Sequence, residues 1–221
     1  MTPQQLKASI LQYAIQGKLV EQRVEEGTGE ELYQQIQAEK QRLIAEKKIK
    51  KEKPLPEITE DELPFDIPES WKWVRIGAIF SLQAGKNITS SDIFAEQSEA
   101  HPYLCYGGNG IRGYVEKKNR EGYYAIIGRQ GALCGNINVA KGVFYATEHA
   151  VVVDHFGKTD VMWSAWFLMA LNLNQYATAT AQPGLSVANI VQVPIPLPPL
   201  AEQKRIVAKL DELLPLCERL K

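Results

Sequence analysis

The chain has 221 residues, of which 45% are hydrophobic and 23% charged, a composition typical of a globular protein that can bury a core. Its 25 Lys and Arg residues nearly balance 26 Asp and Glu residues, so the formal net charge of −1 gives no indication of a nucleic-acid binder. Three cysteines without paired spacing and three histidines without His-x-x-x-His spacing indicate neither a disulfide framework nor a structural metal site.

The predicted elements begin with an amphipathic helix over residues 3–19. Its apolar residues recur at spacings of four, three and four, and further apolar positions widen the stripe, which predicts a helix that packs on a partner. The recurring positions are Leu6, Ile10, Tyr13 and Gly17, and the widening ones are Leu11, Ala14 and Ile15. This segment has no apolar run of signal-peptide length, and no segment approaches the roughly 20 apolar residues of a membrane-spanning helix, so we expect a cytoplasmic protein.

A second helix, rich in Gln, Lys and Glu, is predicted over residues 30–53. Its thin apolar side consists of Leu32, Ile36, Leu43 and Ile44. The second half of this helix is basic, because residues 38–53 hold seven basic and three acidic side chains. Residues 54–70 then hold six acidic side chains and four prolines, and they are predicted to be a linker because proline continues neither a helix nor a central strand.

From residue 71 onward the pattern changes to short runs of β-branched and aromatic residues separated by glycine and asparagine, which predicts strands. The predicted strands are residues 73–80, 103–106, 123–127, 142–145 and 150–154, and the breaks include residues 107–110 and 128–135. Residues 161–173 form the one helix that is predicted inside this region.

The last predicted elements are an extended proline segment over residues 193–200 and a helix that follows it. The apolar residues of this helix are spaced four, three, four and three, which is a heptad seam, and Pro215 is expected to kink the helix. The seam consists of Ile206, Leu210, Leu213, Cys217 and Leu220. Because the helix over residues 3–19 has the same spacing, we predict that the two helices pack together.

These elements predict an α+β fold in which a β-rich domain is flanked by long amphipathic helices from both chain ends, packed in a coiled-coil-like arrangement. The predicted divisions are a helical region over residues 1–53, a linker over 54–70, the β-rich domain over 71–198 and a helix over 199–221.

Motifs for catalysis and cofactor binding are weak. Gly108, Gly110 and Gly113 satisfy the G-x-G-x-x-G pattern of dinucleotide sites, although a short charged stretch follows instead of a long helix. His149 beside Glu148 is a candidate base, but no nucleophile motif accompanies it. We therefore predict a chain that is not an enzyme and holds no cofactor or metal. A nucleotide-binding enzyme that uses residues 108–113 stays open as an alternative.

A candidate DNA-binding surface lies between residues 86 and 141, a basic, asparagine-rich and aromatic-rich stretch whose basic and amide candidates fall in predicted loops. Lys and Arg contact phosphates, Arg also reads guanine, and Asn or Gln reads adenine. The candidate residues are Lys86, Asn87, Asn109, Arg112, Lys117, Lys118, Arg120, Arg129, Gln130, Asn136 and Asn138. A solvated loop surface has a similar composition, so a protein-interaction module without DNA readout also stays open.

Several segments resemble the specificity (S) subunits of type I restriction-modification systems. The long and specific one is the proline-to-helix run near the carboxyl terminus, which resembles the junction between a target-recognition domain and a conserved helix in that family. Shorter segments resemble the start of the recognition domain, its internal glycine-rich signatures and the distal part of the conserved helical region. The segments are residues 182–190, 193–207 and 210–213, then 67–77, 106–113, 127–131, 146–150 and 6–20.

The resemblance implies sequence-specific recognition of double-stranded DNA by a non-catalytic subunit. S subunits have two target-recognition domains, each reading half of a split target, held apart by antiparallel helices that dock two methyltransferase (M) subunits. S-adenosylmethionine is then expected on the M subunits, and ATP and Mg²⁺ on a separate restriction (R) subunit. This chain has one predicted recognition domain, so we expect a half-subunit or a fragment, and a homodimer formed through the terminal helices. Helix pairing and assembly are assigned to Leu6, Ile10, Tyr13, Ile206, Leu210, Leu213, Cys217 and Leu220.

Overall fold

The structure is a computed structural model that describes residues 2–131, 133–178 and 184–219. These residues fall into two units, each assembled from separate parts of the chain. The helical unit consists of the described parts of Met1–Ile79, His155–Ala170 and Gln192–Lys221, and the sheet unit of those of Phe80–Asp154 and Leu171–Val191. Among the described residues, no helix combines the length and the apolar character that a membrane crossing requires.

Helix α1 spans Pro3–Ile15 in the helical unit. It begins with a capping box, in which Thr2 and Gln5 satisfy each other's backbone N–H groups. The helix predicted over residues 3–19 is too long at its carboxyl end. Gly17 adopts the left-handed conformation with φ 71°, and the helix ends before it. Tyr13 is 58% exposed, so the buried face consists of the positions predicted to widen the stripe: Leu11, Ala14 and Ile15.

Helix α2 spans Gly29–Ala45 and also begins with a capping box. The predicted extension to residue 53 is wrong. Lys47 has φ 58°, and the backbone N–H of Lys48 donates to the carbonyl oxygen of Leu43 at 2.9 Å, an arrangement that caps the helix and turns the chain away. The basic run that follows is mostly exposed and lies outside the helix.

Helix α6 spans Leu200–Arg219 and packs against α1 and against α4, which spans Val161–Ala170. The predicted packing of the two terminal helices is confirmed. The buried face of α6 differs from the predicted seam, because Leu214 is buried and Leu213 is half-buried. This face consists of Glu202, Gln203, Ile206, Leu210, Leu214 and Cys217. Pro215 lies inside α6, and Leu220 lies outside the described residues.

Strand β1, Lys72–Arg75, pairs antiparallel with β8, Pro194–Leu197. The single strand predicted over residues 73–80 is wrong, because β1 is followed by the short helix α3, Ile76–Ile79, and by β2, Ser81–Ala84, in the other unit. Tertiary contacts override the strand pattern here. The Arg75 guanidinium is buried and donates to the carboxylate of Glu62 at 2.6 and 2.7 Å, while the amine of Lys40 donates to the carbonyl oxygen of Gly77 at 2.8 Å.

The described strands of the sheet unit form one mixed sheet in the order β2-β7-β5-β6-β3-β4. Neighbouring strands are antiparallel except β3 and β6, which are parallel. The strand bounds are Tyr103–Gly107 for β3, Gly110–Val115 for β4, Arg120–Gly128 for β5, Ile137–Ala146 for β6 and Ala150–Asp154 for β7. The core includes Tyr106, Ile126, Phe144 and Val152. Together with the terminal helices, this sheet confirms the predicted α+β fold.

The remaining differences concern glycine and asparagine positions. The strand predicted over residues 142–145 is longer in the structure, where β6 spans Ile137–Ala146. Gly142, which was predicted to begin the strand, lies inside it with φ 89°. The helix predicted over residues 161–173 ends at Ala170, because Asn172 adopts the left-handed conformation with φ 48°. The region also contains α3 and the short helix α5, Val187–Ile190, so the prediction of a single helix is wrong.

Candidate nucleic-acid interface

Three connections of the sheet unit meet at one place: the β3–β4 turn, the β5–β6 loop and the β6–β7 turn. The backbone N–H of Arg129 donates to the carbonyl oxygen of His149 at 3.0 Å, which joins the last two. A Cβ atom on Gly128 would overlap the carbonyl oxygen of Gly108, so the first connection also lies against the end of β5. We call residues 107–110, 129–131, 133–136 and 147–149 the turn cluster.

The β5–β6 loop is braced by backbone hydrogen bonds. The N–H of Gly128 donates to the carbonyl oxygen of Asn136 at 2.8 Å. In the opposite direction, the N–H of Gly135 donates to the carbonyl oxygen of Gly128 at 2.7 Å. Gly135 has φ 88°, a conformation that glycine adopts without strain. The N–H of Leu185 donates to the carbonyl oxygen of Arg129 at 2.8 Å and ties the loop to another part of the sheet unit. These hydrogen bonds brace the described part of the loop at both of its ends.

Four candidate DNA-binding residues lie in the turn cluster. Asn109, Gln130 and Asn136 are exposed, and Arg129 is half-buried. Asn138 lies at the start of β6, where its Oδ1 would be 3.0 Å from a Cβ atom on Gly110, so it faces the β3–β4 turn.

Two further candidates lie beside the turn cluster. The backbone N–H of Lys86 donates to the carbonyl oxygen of Ala146 at 3.0 Å, and Lys86 forms a parallel bridge with Thr147. The carbonyl oxygen of Asn87 accepts from the Tyr145 hydroxyl at 2.9 Å. Because these contacts use the backbone of Lys86 and Asn87, their exposed side chains stay available to a ligand.

The other basic candidates are positioned separately. The Arg112 side chain extends across β3, where its Cδ would lie 2.6 Å from a Cβ atom on Gly107. Lys117 and Lys118 are exposed in the connection before β5, and the Lys118 amine pairs with the Glu121 carboxylate at 3.0 Å. The Glu121 carboxylate also raises the pKa of Lys118, which therefore stays charged.

The prediction that all candidates lie in loops is wrong for three of them. Arg112 lies in β4, Arg120 begins β5 and Asn138 lies in β6. Strand β4 was not among the predicted strands, and β5 and β6 begin earlier than predicted. Gly113 and Gly122 lie within β4 and β5 with positive φ angles. The Arg120 guanidinium donates to the side-chain oxygen of Gln83 at 3.2 Å, so this residue is partly committed to the sheet.

Several polar atoms near the turn cluster are buried without a hydrogen-bond partner among the described residues. They are Nε of Arg129, Nδ2 of Asn138 and Oε2 of Glu148. The other Glu148 oxygen lies 3.3 Å from Nε2 of His149. The site thus combines donors and an acceptor, which is the chemistry of hydrogen-bonded recognition. The Cys105 thiol nearby is fully buried, and burial raises its pKa, so it does not supply an activated nucleophile.

The nucleotide-binding alternative lacks its structural context. Gly108 to Gly113 occupy the β3–β4 hairpin, and the chain continues as a strand at Gly110. A dinucleotide site requires these glycines to open a helix, whose amino terminus binds the pyrophosphate. Within the described residues, no group of three or more His, Cys, Asp or Glu side chains is arranged to hold a metal ion.

Sequence reasoning missed two exposed aliphatic residues at this site. Ile111, in β4, is 59% exposed, and Leu133, in the β5–β6 loop, is 56% exposed. The available signal was a branched aliphatic residue within a glycine- and asparagine-rich connection, where a strand or turn can present it to solvent.

Comparison with known proteins identifies the class of protein that this fold and site belong to. Residues 68–220 match the type I restriction modification DNA specificity domain, and the chain belongs to that family. It is 46% identical over 137 residues to the type I restriction enzyme EcoprrI specificity subunit of Escherichia coli, a match that covers 62% of this chain and 34% of that protein. Over 245 aligned positions it is 30% identical to the EcoAI specificity subunit of Escherichia coli, covering 98% and 40% of the two chains.

Solved structures show the same fold at lower identity. The S subunit of a type I restriction-modification system from M. genitalium superposes with a TM-score of 0.57 at 18% identity, covering 68% of this chain and 41% of that one. The HsdS subunit from Thermoanaerobacter tengcongensis gives a TM-score of 0.56 at 22% identity, covering 87% and 50%. The chain therefore spans half or less of the length of the relatives described here.

Proposed function

We propose that this chain is a DNA-reading specificity subunit, or half-subunit, of a type I restriction-modification complex. The observation that carries the proposal is the turn cluster, in which Asn109, Arg129, Gln130 and Asn136 converge on a braced backbone. Amide and guanidinium groups held in this way suit base edges in the major groove, while the outlying Lys117 and Lys118 suit phosphates. The family to which the chain belongs supports the same function.

The proposed division of labour follows the predicted domains. Residues 71–198 form the target-recognition domain, residues 1–53 and 199–221 supply spacer helices, and residues 54–70 link them. The spacer helices dock M subunits that bind S-adenosylmethionine, and the R subunit contributes ATP-driven cleavage with Mg²⁺. In this proposal the chain itself is non-catalytic and acts in the cytoplasm, where the DNA is.

The test is to co-express the chain with the M subunit of the same restriction system and to map methylation of host DNA by single-molecule sequencing. We expect one split, adenine-methylated motif that appears only when the chain is present. The Gln130→Ala variant should change or abolish that motif, whereas Lys47→Ala, a change in the basic run that follows α2, should leave it intact. A stable complex that adds no methylated motif would contradict the proposal.

We further propose that two copies associate through their terminal helices. Leu210 and Ile206 are fully buried within the helical unit, so the exposed positions are the ones available to a second copy. These are Tyr13 on α1, 58% exposed, and Leu216 on α6, 48% exposed. A symmetric dimer of this kind should specify a palindromic split target.

Light scattering at micromolar concentration tests this pairing. Wild-type chain should have the mass of a dimer, and the double variant Tyr13→Asp, Leu216→Asp should be a monomer with an unchanged thermal midpoint. Val24→Asp is a matched control, because Val24 is 96% exposed and lies in the chain segment that connects α1 to α2. A wild-type chain that stays monomeric with and without M subunits would overturn the pairing.

A further inference from the structure

The aliphatic side chains of Ile111 and Leu133 are exposed beside the hydrogen-bonding groups of the candidate interface. Single exposed apolar residues are common on protein surfaces, so exposure alone carries no argument. Here both residues belong to the connections and strands that hold the candidate base-reading groups. We propose that Ile111 and Leu133 contact thymine methyl groups in the major groove and so contribute to sequence specificity, an inference that rests on the proposed function.

Leu133 is presented by two successive turns. The N–H of Cys134 donates to the carbonyl oxygen of Gly131 at 3.0 Å, and the N–H of Asn136 donates to that of Leu133 at 3.0 Å. Cys134 is 2% exposed, so its side chain anchors the loop inward while its neighbour Leu133 stays outside. Gly131 has φ 87°, which allows the first turn without strain. These hydrogen bonds restrain the backbone on the carboxyl side of Leu133, which lowers the entropy lost when its side chain makes a contact.

Ile111 is fixed by the β3–β4 hairpin. It pairs with Tyr106 in the strand register, and Tyr106 is a buried core residue of the sheet unit. Its chain neighbour Arg112 is exposed, and Asn109 is exposed in the turn just before it. The hairpin therefore offers an amide, an aliphatic group and a guanidinium within four consecutive residues.

This combination fits the major-groove edge of an A·T pair. An Asn or Gln side chain that binds N6 and N7 of adenine places the surrounding side chains in the groove that also carries the thymine 5-methyl group. An aliphatic side chain can make an apolar contact with that methyl group, whereas an amide cannot form a hydrogen bond with it. The alternative use of such residues, as wedges between base steps, belongs to proteins that enter the minor groove and unstack bases. The amide groups around Ile111 and Leu133 favour the first mode, and the experiment separates the two.

The experiment uses the purified full chain, immobilised at high density, to select duplexes from a random library. Competition binding then compares the enriched motif with duplexes in which single thymines are replaced by deoxyuridine, which lacks only the methyl group. The variants are Ile111→Ser and Leu133→Ser, with Ile111→Val as a conservative change. Val24→Ser is the matched control, because Val24 is 96% exposed and lies in the helical unit.

Wild-type chain should prefer thymine over deoxyuridine about fourfold at one or two positions, the effect of burying one methyl-sized group. Each serine variant should lose the preference at one position, with an unchanged thermal midpoint, and Ile111→Val and Val24→Ser should retain it. An enriched motif that is indifferent to deoxyuridine would overturn the inference alone. The inference alone would also be overturned if the serine variants bound the enriched motif and random duplexes with equally reduced affinity. That result is expected if Ile111 and Leu133 act as wedges between base steps. Failure to enrich any motif would overturn the proposed function together with this inference.

Discussion

The indole nitrogen of Trp71 donates a 2.9 Å hydrogen bond to Oε2 of Glu202, a carboxylate that is only 1% exposed. The other oxygen, Oε1, accepts from the side-chain amide of Gln22 at 2.6 Å, and that amide in turn accepts from the Ser70 hydroxyl at 2.7 Å. One buried carboxylate thus connects α6 to two segments far away in the sequence. Both oxygens of this buried carboxylate therefore have a donor.

The Trp71→Phe variant should destabilise the protein by about 1–3 kcal/mol. Phenylalanine preserves much of the aromatic packing, including the contact with the Phe167 ring, but it leaves one oxygen of a buried carboxylate without a donor. Urea denaturation of the two proteins measures the difference. Trp73→Phe is the control, because the Trp73 ring packs against Phe65 and Trp73 does not belong to the hydrogen-bond network of Glu202. Equal losses for the two variants would contradict this interpretation.

Glu202 should also give the protein a component of stability that decreases as pH rises. Burial raises the pKa of Glu202 above the 4.5 of an exposed glutamate, against the hydrogen bonds from Trp71 and Gln22. The unfolded chain therefore releases this proton first, and the free energy of unfolding falls as pH rises from about 4.5 through the higher folded-state pKa. Glu202→Gln cannot titrate, so the difference between variant and wild type should change over that window. Urea titrations between pH 4.5 and 7.5 measure it, and a constant difference would refute the assignment.

Glu62 should give the protein a component of stability that increases as pH rises, the opposite of the effect of Glu202. The Arg75 guanidinium holds the pKa of Glu62 at about 2, and the backbone N–H of Thr59 adds a further hydrogen bond. Its stabilising contribution should be fully present above about pH 4.5 and should be lost as pH falls toward 2. Glu62→Gln should therefore be less stable than wild type at pH 7, with the gap closing at pH 3. The check is the urea midpoint at both values, and a gap that widens in acid would be the contrary result.

The sequence predicted best where the physical signal is local. Repeated apolar spacing located α1 and α6 and the contact between them, because an amphipathic face must be buried somewhere. It did not distinguish Leu213 from Leu214, since both lie near the edge of the face and packing decides which is covered. Strand β1 ends at Arg75, whose buried guanidinium donates to Glu62 and to the carbonyl oxygen of Gln192, and no local pattern contains such long-range contacts.

The candidate site was predictable by residue type and less so by position. Amide and basic side chains identified the candidate segments, but β4 was not predicted, and it begins at Gly110, which the prediction had placed in a break. The convergence of the three connections depends on the sheet order, in which β3 lies next to β6. That order is a long-range property. Exposed Ile111 and Leu133 escaped notice because apolar residues are expected inside.

The close approach of Gly108 and Gly128 should make the two positions unequally tolerant of alanine. A methyl group on Gly128 would overlap the carbonyl oxygen of Gly108, whereas one on Gly108 would find its nearest atom, the carbonyl oxygen of His149, at 3.2 Å. Gly128→Ala should therefore lower the thermal midpoint and DNA affinity together, because the turn cluster must open. Gly108→Ala is the matched control and should have a small effect on both. Calorimetry with a binding isotherm tests this, and equal behaviour of the two variants would contradict it.

Base contacts and phosphate contacts should separate in their dependence on salt. Gln130→Ala should weaken binding to the selected motif by about 1–3 kcal/mol and leave random duplexes unchanged. Lys117→Ala should weaken binding to all duplexes alike and reduce the slope of log affinity against log salt by about 0.9. Fluorescence anisotropy between 50 and 200 mM salt, a range chosen about the physiological value, measures both. The same salt slope for wild type and Lys117→Ala would remove that lysine from the interface.

The antiparallel pair of β1 and β8 has a consequence for how the protein is made. In its register Trp73 lies opposite Pro196, so the pair forms only after the chain between them has been synthesised. Helices α1 and α2 leave the ribosome well before α6, against which α1 packs, and during this interval the apolar face of α1 lacks that partner. The strands of the sheet unit pair over shorter sequence separations than β1 and β8, the largest being that between β2 and β7, so this unit can condense first and shorten the remaining search. We therefore expect the helical unit to complete its folding late, with the apolar face of α1 exposed until α6 has been made.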